Sequence, residues 1–117
     1  MQKDLRRRTK EYALRIIKLI EALPKTTTGR MVSNQLIRCG TSIGANYRAA
    51  LRGRSKAEFI AKIGIVIEEA DESAFWLEII IESGLLKSKS VEPLLQETKE
   101  ILAIMITTSN TAFKDNN

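Results

Sequence analysis

The sequence predicts an all-α protein, a single antiparallel up-down-up-down four-helix bundle. Three observations predict this fold: four segments repeat apolar residues every three or four positions, the breaks between them are short, and the chain contains only two prolines. With 117 residues, 44% of them hydrophobic, the chain is long enough to bury one core without disulfides or a metal. We therefore expect a single domain that spans residues 1–117.

The first two segments predict helices at about 3–23 and 28–51. Pro24 is expected to end the first helix, because a proline disfavours helical backbone in the residue before it. The second segment contains Gly40 and Gly44, and each glycine costs about 1 kcal/mol relative to alanine in a helix. These glycines indicate either a kink or the close approach of a neighbouring helix, and we favour close packing.

The third segment predicts a helix at about 55–83 with clear signals at both ends. Ser55 and Glu58 form a capping box, in which the serine hydroxyl accepts a hydrogen bond from the Glu58 amide and the Glu58 carboxylate reaches back. Gly84 is expected to end the helix as a C′ glycine in the left-handed conformation.

The fourth segment predicts a helix at about 90–113, with Pro93 in the first turn, where its missing N–H does no harm. The third and fourth helices carry more apolar residues than the single stripe, about 100° wide, of an ordinary bundle helix. The extra surface indicates either a second subunit or a helix at the centre of its own bundle, and we favour self-association. The residues predicted at the subunit interface are Ile60, Ile67, Ala74, Phe75, Trp76 and Ile81.

Charge is unevenly distributed along the chain. Residues 1–54 contain thirteen Lys and Arg against three acidic residues, a formal +10, whereas residues 55–117 contain six against eleven, a formal −5. The basic residues crowd the start of the third helix, where backbone N–H groups also favour anions, so one hypothesis is non-specific RNA or DNA binding. The alternative is salt bridging to a neighbouring subunit or the docking of another protein. The predicted nucleic-acid-binding residues are Arg48, Arg52, Arg54, Lys56, Arg38, Arg6, Arg7 and Arg8.

Catalysis has little support in the sequence. The chain has no histidine, the commonest general base and metal ligand, so we expect a protein that is not an enzyme and has no metal or cofactor. The carboxylates of Glu68, Glu69 and Glu72 fall within one helical turn, and we interpret them as a solvated face or as partners for arginines rather than as a cation site. Cys39 is expected to be a small buried residue. The charged N-terminus and the lack of a long apolar run predict a cytoplasmic protein with no membrane association.

Three blocks of the sequence are similar to one known family. They are residues 33–38, residues 41–47, which contain Asn46, and residues 54–59; the run from 65 to 80 also matches. On these residues the chain resembles the bacterial 23S rRNA intervening-sequence protein family, also called S23-like, over nearly its whole length.

The resemblance implies an antiparallel four-helix bundle, commonly assembled as a homopentamer. It also implies a link to RNA, and kinship with accessory proteins of diversity-generating retroelements, which contact nucleic acid. For most members of the family the biochemical function is not established. Many members have an acidic residue and a glycine after the Asn46 block, where this chain has Arg48 and two alanines, so this chain is more basic there. We expect Asn46 to be a buried polar residue that helps to fix helix register.

Overall fold

The four helices are continuous and connected by short loops, as the periodicity predicts. The computed structural model describes residues 2–115, and the side chains of residues 5–114. The helices are α1 (Gln2–Glu21), α2 (Thr27–Leu51), α3 (Lys56–Ser83) and α4 (Ser88–Asp115). They form a four-helix bundle with extents of 49 × 20 × 20 Å, which confirms the predicted fold class. The extensive contacts are those of α1 with α2, α2 with α3 and α3 with α4, whereas α1 touches α4 only lightly.

The core runs the length of the bundle and takes side chains from every helix. Its largest fully buried members include Tyr12, Tyr47, Ile16, Leu36, Ile43, Ile63, Leu77, Ile80, Ile101 and Met105. Cys39 lies in this core as a free buried thiol, as predicted. Burial raises the pKa of the Cys39 thiol, which favours the neutral form. Within residues 2–115 no helix combines the length and the apolar character needed to cross a membrane.

Gly40 and Gly44 of α2 allow close packing against a neighbouring helix, which is the interpretation favoured from the sequence. A Cβ atom at position 40 would lie 2.8 Å from Cγ1 of Ile16. At position 44 a Cβ would lie 3.3 Å from the carbonyl oxygen of Thr9. Because both contacts are to α1, the two glycines let α1 and α2 approach each other more closely than larger residues would allow.

The ends of α3 follow the predicted signals, with one difference. The Ser55 hydroxyl accepts from the amide of Glu58 at 3.1 Å, but the Glu58 carboxylate accepts from the amide of Arg54, at 2.9 Å, one residue before the cap. Gly84 has a φ of 76°, in the left-handed region, and the amide of Leu85 donates to the carbonyl of Ile80 at 3.1 Å. This is the hydrogen-bond pattern of a C′ glycine.

Three predicted boundaries, the end of α1 and both ends of α4, were wrong by two residues. Helix α1 ends at Glu21, and the amides of Ala22 and Leu23 donate to carbonyls three residues earlier, in a tighter turn that leads into Pro24. Helix α4 begins at Ser88, so Pro93 lies beyond its first turn. Since proline has no N–H, the carbonyl of Lys89 lacks the helical donor it would otherwise have.

A buried polar layer crosses the bundle and takes one residue from each helix. The Tyr12 hydroxyl of α1 lies 2.6 Å from Oγ1 of Thr98 in α4. Thr98 donates its own proton to the carbonyl of Leu94, so Tyr12 is the donor of this pair. Ser73 of α3 lies beside the same hydroxyl, and its Oγ lies 3.3 Å from Sγ of Cys39 in α2.

Candidate polyanion-binding site

The antiparallel packing of α1 and α2 places four basic side chains around one groove. Arg6, Arg7 and Lys10 come from the start of α1, and Arg48 comes from the end of α2. Together they line a space of about 330 Å³. We call this group of four residues the cationic groove. Three of the four residues are among the predicted nucleic-acid-binding residues.

The cationic groove continues along the α1–α2 seam over a floor of small residues. Arg6, Lys10 and Arg48 also line an adjoining space of about 170 Å³. The side chains of the floor are short, so the longer cationic side chains form the sides of the groove. The floor residues are Ala13, Thr41, Gly44 and Ala45.

The four side chains of the cationic groove are exposed and have no acidic partner among the side chains of residues 5–114. All four are solvent-exposed, and within residues 5–114 the ion pairs of the structure involve other arginines. The charges therefore remain available to an anion from solution. Lys10 was missed by the sequence reasoning. Its spacing of four from Arg6 puts both on one face of α1, and that spacing was the signal that could have found it.

Tyr47 lies buried close to the cationic groove. Burial raises the pKa of the Tyr47 phenol, and the positive charge of Arg6 opposes this shift in part. This effect of the Arg6 charge on the pKa indicates that Arg6 lies near the buried Tyr47 hydroxyl. Tyr47 is fully buried, so it serves as a core anchor and presents no aromatic face to a base in the groove.

Arg8 lies outside the cationic groove, contrary to its place in the predicted set. Its guanidinium donates to the carboxylate of Glu97 at 2.6 and 2.8 Å, and to Glu100 at 2.7 Å. The hydrogen bonds that Arg8 donates to Glu97 raise the pKa of Arg8 above its usual value. Arg8 therefore ties α1 to α4, and its charge is already neutralised within the molecule.

Arg38 is likewise committed to an ion pair of the same chain. Its Nη2 donates to Glu72 at 2.7 Å, and its Nη1 lies 3.6 Å from Oε1 of Glu69. Glu72 also accepts from the indole N–H of Trp76 at 3.3 Å. The interpretation of these carboxylates as arginine partners is thus confirmed for Glu69 and Glu72, whereas Glu68 is exposed. Within residues 2–115 no cluster of His, Cys, Asp and Glu could hold a metal ion.

The corner between α2 and α3 lies outside the cationic groove, and its role in anion binding stays a prediction. Arg52, Arg54 and Lys56 are exposed there but are not among the residues that line the cationic groove. Two backbone N–H groups near the start of α3 have partners of the same chain: the Glu58 amide donates to the Ser55 hydroxyl, and the Arg54 amide, before the cap, donates to the Glu58 carboxylate. Glu58 therefore already supplies a negative charge at this helix N-terminus.

Most of the predicted interface residues pack within their own bundle. Ala74 is only 8% exposed, which corrects its assignment to a subunit surface. Ile60, Ile67, Trp76 and Ile81 are half-buried, because α3 packs against both α2 and α4. Phe75, at 51% exposure, is the open member of the set, and its ring packs edge-on against Trp76. Further exposed apolar residues, not predicted at an interface, are Leu14, Ile17, Met31, Ile37, Leu51, Ile106 and Phe113.

Asn46 is half-buried, where full burial was expected. Its side-chain amide donates to the carbonyl of Ser42 at 3.0 Å, one turn earlier in α2. This bond lies within one helix, so it does not set the register between helices. The buried polar layer of Tyr12, Thr98, Ser73 and Cys39 links separate helices instead.

Comparison with known proteins gives a consistent result. A family model described as "23S rRNA-intervening sequence protein" matches residues 2–107. A crystal structure of a protein with unknown function from the S23 ribosomal protein family of Bacteroides thetaiotaomicron VPI-5482 is 34% identical, with a TM-score of 0.83. The alignment covers 89% of this chain and 96% of that one. No curated protein matches the chain. On the matched residues and the shared four-helix architecture, the chain belongs to the 23S rRNA-intervening sequence protein family.

Proposed function

We propose that this protein is a non-enzymatic binding protein that holds RNA or DNA by the phosphate backbone in the cationic groove. The observation that carries the proposal is the convergence of Arg6, Arg7, Lys10 and Arg48, without acidic partners among the described side chains, over a floor of small residues. Such a groove admits a phosphodiester backbone and stabilises it by releasing its counterions. The membership of the chain in a family named after an rRNA gene element agrees with this partner.

The binding is expected to be independent of sequence. The side chains that line the groove are arginine, lysine, threonine and alanine, with a backbone glycine, and none of them is aromatic. Bases therefore have no stacking platform there. The groove also offers no carboxylate or amide side chain to read cytosine or adenine edges, and its arginines, which can read guanine, are expected to pair with phosphates. What remains is recognition of charge and backbone shape.

Binding and its salt dependence test the proposal. The probe is a fluorescein-labelled oligouridine of 20 nucleotides, followed by anisotropy at 50 and 200 mM NaCl. If about four phosphates are neutralised per chain, a slope of roughly −0.7 per contact on single strands predicts about 50-fold weaker binding at the higher salt. The triple variant Arg6→Gln, Lys10→Gln, Arg48→Gln should reduce the salt slope by about 2 and weaken binding at 50 mM NaCl by tenfold or more.

A matched control separates the groove from general electrostatics. The variant Arg52→Gln, Arg54→Gln, Lys56→Gln removes the same three charges from exposed positions outside the groove. It should bind the oligonucleotide within about threefold of the unchanged protein. Equal weakening by the two triple variants, or no binding at 50 mM NaCl, would reject the groove as the site.

We further propose that the protein self-associates, with a pentamer as the assembly its family resemblance implies. The supporting observation is the number of exposed large apolar side chains, of which Phe75 and Phe113 are 51% and 59% exposed. Exposed aromatic residues on a soluble domain are typical of interaction surfaces. Each copy in an assembly would present its own cationic groove, so binding to a long strand would be multivalent.

The mass in solution tests self-association independently of nucleic acid. Light scattering coupled to size exclusion is expected to give a multiple of the 13.2 kDa chain mass. A particle of 13.2 kDa in dilute buffer would refute self-association and leave the groove proposal intact. A large assembly that fails to bind the oligouridine would favour the second candidate function, a structural or adaptor protein. The internal use of Arg8 and Arg38 in ion pairs is the observation that favours this candidate.

A further inference from the structure

A second groove opens where α1 and α4 separate. In one half of this seam α1 and α4 are joined by polar contacts, the ion pairs of Arg8 with Glu97 and the hydrogen bond from Tyr12 to Thr98. In the other half, the end of α1 and the start of α4 enclose a space of about 380 Å³. We call this space the α1–α4 groove.

The floor of the α1–α4 groove is apolar. Leu94 is 4% exposed, and Leu19 and Leu86 are half-buried and packed against the main core. Pro93 adds apolar ring surface to the lining. An apolar group of a ligand that packs against this lining stabilises the complex, because apolar surface is removed from water.

The rim of the α1–α4 groove is positively charged. Arg15 and Lys18 line it from α1, and both are exposed. Within residues 5–114 neither side chain has an ion pair with an acidic residue, since the ion pairs of the structure use Arg8 and Arg38. The groove thus combines an apolar floor with two available positive charges at one edge.

The size of the space selects among possible occupants. Its volume of about 380 Å³ lies at the lower end of the range of about 300–1,000 Å³ found for small-molecule pockets. A slender small molecule is therefore the occupant that this space fits best.

We propose that the α1–α4 groove binds a small anionic amphiphile, a medium-chain carboxylate whose alkyl chain covers Leu19, Leu86 and Leu94 and whose head group pairs with Arg15 and Lys18. The site is separate from the cationic groove, which lies at the other end of α1 and has no leucine among its lining residues. The proposal does not depend on nucleic-acid binding.

Isothermal titration calorimetry of the full chain with sodium decanoate tests the proposal. Saturable binding of one decanoate per chain is expected, and octanoate should bind roughly tenfold more weakly because it buries two fewer methylene groups. Decyltrimethylammonium, which has the same chain length and the opposite charge, should bind at least tenfold more weakly than decanoate. Equal affinity for the anionic and cationic amphiphiles, or the lack of saturable binding, would overturn the proposal.

Three variants locate the site. Ala22 is an exposed residue of the lining, so Ala22→Trp should fill the groove and abolish decanoate binding. The double variant Arg15→Gln, Lys18→Gln changes only exposed side chains and should weaken decanoate fivefold or more while leaving helix content unchanged in circular dichroism. The control Arg52→Gln, Lys56→Gln removes two exposed charges that lie outside both grooves and should keep affinity within twofold. Unchanged decanoate binding by the Arg15 and Lys18 variant would refute the proposal. So would a self-associated protein that binds no decanoate because a second copy covers the groove.

Discussion

Replacement of Gly29 with alanine is expected to lower the free energy of unfolding by on the order of 3 kcal/mol. An added Cβ at position 29 would fall well inside the van der Waals contact distance of the Pro24 carbonyl oxygen. The obstacle is backbone, which cannot rotate away as a long side chain can. The α1–α2 loop would therefore have to move. Such a shift would disturb the Thr26 cap, whose hydroxyl accepts from the Gly29 amide at 3.1 Å.

The same substitution at Gly64 provides the matched control. Gly64 lies inside α3, and a Cβ there would meet nothing within 4 Å. Because alanine is the better helix former, Gly64→Ala should raise the free energy of unfolding by about 0.5–1 kcal/mol. Urea unfolding followed by circular dichroism measures both variants. If Gly29→Ala shows a midpoint equal to or above that of the unchanged protein, the close contact with Pro24 is not as tight as the structure indicates.

Tyr12→Phe should destabilise the protein at pH 8 and stabilise it above about pH 11. At pH 8 the variant loses the hydrogen bond from the Tyr12 hydroxyl to Thr98, at a cost of about 1.5 kcal/mol. The loss falls in the buried polar layer, where it leaves the Thr98 hydroxyl without its partner. The larger effect lies in the pH dependence, which follows from the environment of the phenol.

Burial raises the pKa of Tyr12 to about 12, although hydrogen bonds with Thr98 and Ser73 oppose the shift. In the unfolded chain the phenol has a pKa of about 10. Between these values the unfolded chain releases the Tyr12 proton and the folded chain keeps it, so the unfolded state gains stability as the pH rises. The contribution is fully present below pH 10 and is lost as the pH approaches 12, a change of roughly 3 kcal/mol.

Phenylalanine does not titrate, so the variant escapes this loss. All other titratable residues are the same in both proteins, so their effects largely cancel in the difference. Urea unfolding of both proteins at pH 8, 10 and 11 should show the stability difference shrinking and then changing sign near pH 11. A difference that stays constant over this range would mean that the Tyr12 phenol titrates normally in the folded protein.

The helices themselves were predictable because their signals are local. The Ser55 cap and the Gly84 terminus depend on residues within one turn, and both appear as predicted. The boundary errors at the end of α1 and the start of α4 arose because the apolar periodicity does not stop or start where the helical hydrogen bonds do. The cap at Thr26 was missed, because Thr26, Thr27 and Thr28 are equivalent candidates in the sequence.

The basic residues show where local reasoning fails. In the sequence nothing distinguishes Arg8 and Arg38 from Arg7 and Arg48. In the structure, Arg8 and Arg38 each form an ion pair with a carboxylate of another helix. Glu97 lies 89 positions from Arg8 and Glu72 lies 34 from Arg38. Sequence patterns carry no information about such distant pairs.

By itself the sequence determined that the protein is a single all-α bundle with its helices close to their observed positions, because helix periodicity and capping act over a few residues. Only the tertiary structure decided which basic side chains have no ion pair among the described side chains of residues 5–114. Antiparallel packing brings the start of α1 beside the end of α2, which gathers Arg6, Arg7, Lys10 and Arg48 around one groove. It also decided that α3 buries Ala74 and half-buries its second apolar stripe between α2 and α4. Both outcomes depend on distances between helices, and those distances are set by how side chains from the whole chain fill one common core.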